Sequence, residues 1–147
     1  MNHLTGDTDA IEWLGVRYKT VPPPKQSGGA MSIVDSWAPA GKGPPRHIHE
    51  NEDEALVILS RTCKVRIDGA EITAGPGEGV FIPRGTEYTF KVVGDEPSRH
   101  LVILTPGGLE GFFAEMAAGQ FRIPDDMPAI GESAARHNLR FTGPPFD

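Results

Sequence analysis

The sequence predicts an all-β domain, a sandwich or barrel of short strands with helix only near its C-terminal end, and three observations carry that expectation. The 147 residues include 18 glycines and 14 prolines, nearly twice the usual share of these turn formers. From about residue 31, short apolar segments recur with a turn signal every eight to twelve residues, the spacing of strands in a sandwich or barrel. Helical periodicity surfaces only beyond residue 107. The length suits one domain with a real core.

In chain order, residues 1–30 alternate short apolar groups with "VPPPK" and "SGGA". They read as an N-terminal arm or edge strands, because proline lacks the donor that a central strand needs. Residues 31–106 form the barrel, with strands at "MSIVDSW", "RHIHE", "ALVILS", "TCKVRI", "AEITA", "GVFIP", "EYTFKVV" and "RHLVILT". Asp68-Gly69 between two of them predicts a type I′ hairpin, since both residues tolerate positive φ. "TAGPGEGVFIPRGTEY" sets four glycines and two prolines around the short strand Val80–Ile82. Residues 107–147 form a C-terminal helical extension. In "GGLEGFFAEMAAG", Leu109, Phe112, Phe113 and Met116 make an apolar stripe that packs a helix on the barrel or on a partner subunit, and Gly119 follows its C-cap. A second helix is expected from about Met127 to His137, with Asp125 or Asp126 as cap, Pro128 in the first turn and Asn138 as a left-handed exit.

Charge and composition exclude several functions. A net charge of −6 argues against a phosphate-binding surface, so no nucleic-acid partner is expected. The longest aliphatic run, "ALVIL", is too short to span a bilayer, and the acidic, interrupted N-terminal stretch does not resemble a leader; no membrane partner is expected. Cys63, the only cysteine, cannot form an internal disulfide and shares a strand face with Val65 and Ile67, as a small core residue does. The expected location is cytoplasmic. No Ser/His/Asp or Cys/His set suggests covalent hydrolysis.

The chemistry concentrates in "GKGPPRHIHENEDEAL", residues 41–56. Alternation along a strand points His47 and His49 to one face and Ile48 to the other. Two imidazoles so placed can share one ion, and imidazole suits Zn, Cu, Fe and Ni. A carboxylate from Glu50, Glu52, Asp53 or Glu54 would complete a two-His, one-carboxylate set. Alternation does not choose among them, because "ALVIL" is apolar on both faces. The competing description is a pair of solvated histidines beside a charged turn.

These residues resemble the cupin superfamily, and in particular small single-domain cupins similar to quercetin dioxygenase-like proteins. Gly41 stands at the family's first glycine, His47 and His49 follow at its spacing, and Glu54 comes after a four-residue gap; Arg61 occupies the closing glycine's place. In the second motif Gly77, Pro83 and Gly85 match, whereas Tyr88 replaces the histidine and Val92 the asparagine. The resemblance spans roughly residues 29–105 and implies a double-stranded β-helix, the jelly-roll cupin barrel, with a small-molecule ligand inside it and a homodimer as the assembly. The segment "MSIVDSW" with the N-terminal arm would exchange across an edge in such a dimer.

The resemblance also implies a divalent transition metal, Fe, Mn, Ni, Cu or Zn, held by His47, His49 and Glu54. Because Tyr88 stands for the usual third histidine, three outcomes are open: a three-ligand metal with Tyr88 donating a hydrogen bond nearby, a metal-free pocket, or direct ligation by a tyrosinate. Glu54 and Tyr88 are the candidate catalytic residues, Glu54 as a ligand or a base. The implied activity is that of a metal-dependent dioxygenase acting on a small aromatic, flavonoid-like molecule; the alternative is a non-catalytic ligand-binding or sensor cupin with a degenerate site. Two smaller expectations complete the reading. Arg61 is expected in a turn of altered shape, since a left-handed backbone there costs about 1 kcal/mol. His100, at the start of an apolar strand, could reach the barrel interior, but a hydrogen-bonded histidine at the strand end is the favoured expectation.

Overall fold

The computed structural model describes residues 10–21 and 24–146. The expected residues 1–9 of the arm, and Pro22 and Pro23 of "VPPPK", lie outside the described residues. The elements run β1 (Ile11–Trp13), β2 (Val16–Thr20), α1 (Pro24–Ser27), β3 (Ser32–Ala38), β4 (Pro45–His49), β5 (Asp53–Ser60), β6 (Thr62–Ile67), β7 (Ala70–Ala74), β8 (Gly79–Ile82), β9 (Glu87–Val93), β10 (Ser98–Thr105), α2 (Glu110–Gly119), α3 (Met127–Arg136) and β11 (Leu139–Pro145). All strand pairs are antiparallel and form two sheets, one ordered β1-β2-β3-β10-β5-β8 and the other β11-β4-β9-β6-β7. The arrangement is a double-stranded β-helix, the barrel that the family resemblance implies.

Period-two patterning builds the interior. Leu56 and Ile58 of β5, Cys63 and Val65 of β6, and Val102 and Leu104 of β10 alternate with more exposed neighbours and meet between the sheets. Each buried aliphatic side chain is worth roughly 1.5–3 kcal/mol relative to exposure. Cys63 is fully buried among them, as a small apolar residue should be.

The turns obey the backbone logic of their residues. Asp68 (φ 50°) and Gly69 (φ 85°) are both left-handed, as the expected β6–β7 hairpin requires. Arg61 differs from its expectation: the turn keeps its left-handed shape, with φ 69°, and the arginine takes the conformation that glycine would adopt more cheaply. Gly43 is required for another reason, since a Cβ there would stand 1.8 Å from the carbonyl oxygen of Phe90. Around it the 39–44 loop is bonded along β9, with Gly41 N donating to Val92 O (2.9 Å) and Val92 N to Lys42 O (3.0 Å).

After β10 the chain forms α2 and α3. Phe112 and Met116 of α2 and Ile130 and Ala134 of α3 are buried. The left-handed residue ending α2 is Gln120 (φ 49°), one place beyond the expected Gly119. Pro128 lies in the first turn of α3 and Asn138 (φ 58°) provides its left-handed exit. The segment past Asn138, expected as part of a helical extension, instead returns as β11 and pairs with β4, which carries the two histidines. Trp13 Nε1 donates to the carbonyl of Phe121 (2.8 Å), tying the N-terminal hairpin to the end of α2. Among the described residues no helix is long and apolar enough to cross a membrane.

Candidate metal centre

The chain passes from one sheet to the other between β4 and β5. That crossing brings side chains five to seven residues apart in sequence to face one another across the interior. His47 and His49 project inward from β4, Glu54 projects inward from β5, and Ile48 between the histidines turns away. All three site residues are buried, Glu54 to 1% exposure. Of the other acids in this stretch, Asp53 turns outward to a two-pronged pairing with Arg84 (3.2 Å at each oxygen), and Glu50 pairs with Arg140 (2.9 Å). The choice that alternation left open falls to Glu54, with Glu52 buried behind His49.

One donor atom each from His47, His49 and Glu54 lies within 4.8 Å of the others. His47 Nδ1 bonds the carbonyl of Pro45 at 2.8 Å, which places its proton there and leaves Nε2 as a lone pair. His49 Nε2 stands 3.0 Å from Glu54 Oε1, but off hydrogen-bond direction, so that Oε1 has no hydrogen-bond partner. On the far side of the same ring Glu52 Oε1 lies 3.8 Å from Nδ1, the place of an orienting carboxylate. A buried carboxylate oxygen without a partner, facing imidazole nitrogens, is costly for a protein and suits a cation bonded at about 2.0–2.2 Å. The donor set therefore fits a divalent transition metal.

Tyr88 completes the cluster. It is the direct cross-strand partner of His47, its ring centroid lies 4.4 Å from that of His47, and its hydroxyl donates a hydrogen bond to Glu54 Oε2. Burial, and then the charge and hydrogen bond of Glu54, raise the Tyr88 hydroxyl well above its ordinary range. Burial also pushes the Glu54 carboxyl upward. His49 beside it, the charge of His47 and the Tyr88 hydroxyl together pull it lower, so it lies below the usual carboxylate range. Burial, reinforced by the charge of His49, lowers His47 to about 4. The centre in its metal-free form is thus a neutral His47, a carboxylate and a protonated phenol.

These groups form one wall of a cavity of about 390 Å³ inside the barrel, within the range of small-molecule sites. Its other walls are mainly aromatic and aliphatic, including Trp13, Tyr18, Phe90 and Phe112. Tyr18 stacks on Phe113 at 4.2 Å, so the apolar stripe of α2 serves both as packing and as cavity wall.

Sequence reasoning favoured the wrong outcome for His100 and missed the part of this site that lies on β11. His100 is not a hydrogen-bonded residue at the strand end; it is 2% exposed, lines the cavity, and its Nδ1 has no partner. Its alternation with Val102 and Leu104, both core residues, is the signal that would have turned it inward. Phe141 and Leu139 of β11 also line the cavity, and nothing in their local pattern announces it.

Comparison with known proteins places these features. A family model described as a cupin domain matches residues 35–104. The chain is 27% identical over 109 residues to a quercetin 2,3-dioxygenase of Bacillus subtilis (strain 168), a match that covers 74% of this chain and 32% of the relative's length. Among solved structures, KdgF from Halomonas sp. superposes with a TM-score of 0.63 at 16% identity, covering 75% of this chain and 96% of that one. The polyketide cyclase RemF from Streptomyces resistomycificus superposes with a TM-score of 0.59 at 21% identity, covering 73% of this chain and 79% of that one. At these identities the structural matches establish the fold alone.

Proposed function

The chain is a cupin, with its cupin domain at residues 35–104, and from that premise we propose that it is a metal-dependent enzyme of the dioxygenase type acting on a small aromatic molecule bound inside the barrel. One observation carries the reading: three buried side chains from two sheets converge on a single point in a cavity walled mainly by apolar side chains, with a carboxylate oxygen there that has no hydrogen-bond partner. The distant quercetin dioxygenase supports the choice of chemistry, although the chain spans about a third of that relative's length.

In this reading His47 Nε2, His49 Nε2 and Glu54 hold the ion. A divalent transition metal supplies Lewis acidity and, where redox-active, one-electron chemistry. The chain's own residues do the rest. Pro45 fixes the tautomer of His47. The Tyr88 hydroxyl donates its hydrogen bond to Glu54 Oε2 and, as the carboxylate shifts, can donate it instead to a substrate oxygen while keeping its proton. The ring-lined walls exclude water and orient a flat substrate. The test is dioxygen uptake by metal-loaded protein over a panel of flavonols and simple phenols, in wild type and in Glu54→Gln. Uptake that depends on metal and on Glu54 supports the enzyme.

A second reading has a specific observation behind it. Tyr88 fills the place of the third histidine and engages Glu54, which weakens the site as a metal holder and favours a binding or sensor cupin. Ligand binding without uptake or turnover in that panel would select it. The proposal further places the protein in the cytoplasm as a homodimer. The outward apolar side chains of β5 and β8, Leu59 and Phe81, support the dimer, and sedimentation equilibrium checks it.

A further inference from the structure

At the wall of the cavity formed by β3 and β10, Ser36 and His100 are direct cross-strand partners. Both side chains point inward, at 1% and 2% exposure, and both line the cavity. Ser36 Oγ and His100 Nδ1 have no hydrogen-bond partner. A native interior rarely leaves two adjacent polar groups unpaired, and where it does a ligand or water is the usual partner. Neither residue belongs to the His47, His49 and Glu54 set.

We propose that Ser36 and His100 form a second polar subsite that binds the hydroxyl group of a neutral aromatic small molecule, whose other end lies against His47, His49 and Glu54. The inference rests on the ligand-in-barrel reading above and narrows its substrate class. The donor count selects the group. Burial keeps the His100 imidazole neutral at ordinary pH, with a value lowered to about 4. It therefore offers one donor and one acceptor, and Ser36 offers both as well. A hydroxyl, which also donates and accepts, satisfies the pair; an ether or ketone, which only accepts, leaves part of it unmet. The charges acting on His100 are the carboxylates of Glu54 and Asp35, which disfavour an anion at this spot. The walls select the body of the ligand. Phe90 meets His100 edge-on at 5.0 Å, and Trp13, Tyr18 and Phe112 complete a slot for a flat ring system.

The test compares 2-naphthol with naphthalene, two probes that differ by one hydroxyl, on metal-stripped protein. Wild type is expected to bind 2-naphthol about tenfold more tightly, the worth of one well-made buried hydrogen bond. The ring nitrogens of His100 should shift in nitrogen-15 spectra on addition of 2-naphthol and stay in place with naphthalene. His100→Leu and Ser36→Ala should each bring the two affinities to within about twofold of one another, by removing one partner of that bond. The His100 spectrum is read in wild type, so a variant that fails to fold does not blunt the test. Equal affinity for both probes, no binding of either, a preference that survives both variants, or an unmoved His100 signal would overturn the subsite. Metal uptake by the wild-type protein before stripping separates this from the broader reading: a His100-dependent preference in a protein that takes up no metal sinks the enzyme and leaves the subsite standing, and the reverse pattern does the opposite.

Discussion

The hydroxyl of Tyr88 donates a hydrogen bond to Oε2 of Glu54, so the residue standing where a third imidazole is expected ties the two sheets together at the centre of the barrel. The bond explains how the interior tolerates a charged carboxylate. One oxygen is satisfied by a phenol, and the other is left toward the histidines. It also separates two variants at this position. Tyr88→Phe leaves Oε2 without its donor and should lower the stability of the metal-free protein by about 1–3 kcal/mol, read from denaturant midpoints. Tyr88→His frees Glu54 and adds a ligand, and should tighten metal binding on the order of tenfold or more in competition with a chelating dye. Unchanged stability in the first variant would mean that the bond is not made in solution.

His100 gives a pH dependence of defined sign. Its folded value is lowered to about 4 by burial, whereas the unfolded chain titrates near 6.5. Between those values the unfolded state binds the proton and the folded state does not, so stability falls as pH drops from about 6.5 toward 4, at up to roughly 1.4 kcal/mol per pH unit for this ring. Above 6.5 the ring is neutral in both states and contributes no slope. His100→Leu should therefore flatten the stability profile of the metal-free protein through that window, leaving the slope due to His47. Parallel profiles for the two proteins would contradict the burial of a neutral His100.

Arg61 tests whether its turn is strained. Its φ of 69° suits glycine, and among the described residues its compensation is a half-exposed ion pair with Glu96 at 2.6 Å. Replacing it by glycine and by alanine removes the ion pair equally but relieves the backbone only in the first case. Arg61→Gly should be the more stable of the two by about 1 kcal/mol in thermal or denaturant unfolding, opposite to the usual order of the two residues.

Gly43 tests the close packing of the 39–44 loop on β9. A methyl group there meets the carbonyl of Phe90, and backbone rather than a flexible side chain must move to admit it. Gly43→Ala should cost about 1–3 kcal/mol by thermal unfolding. The same shift would displace Phe90 and so reduce affinity for any ligand in the cavity.

Much of the barrel was legible because each strand carries its own signal. Alternation put His47 and His49 on one face, and the Asp68-Gly69 pair announced its hairpin. The acid could not be read the same way. Glu54 lies in a strand whose neighbours are apolar on both faces, and only the crossing between sheets decides that it faces the histidines. The family resemblance chose it where local pattern did not. The tail shows the opposite failure. "LRFTGPP" contains a glycine and two prolines and reads as a weak strand, yet β4 offers it a free edge, and pairing with that edge makes it β11. Edge strands of this kind are specified by the partner rather than by their own composition. Arg61 misled for a related reason: its local cost is set against the tight β5–β6 connection, which the rest of the sheet imposes.

His47, His49 and Glu54 are expected to hold one ion between them. Elemental analysis of the purified chain, set beside His49→Ala prepared identically, measures this most directly. About one equivalent of a divalent transition metal per wild-type chain, lost in the variant while its fold persists by circular dichroism, is the result expected of a three-ligand site. A wild type that refuses iron, manganese, nickel, copper and zinc alike, or a variant that keeps the full complement, would contradict it.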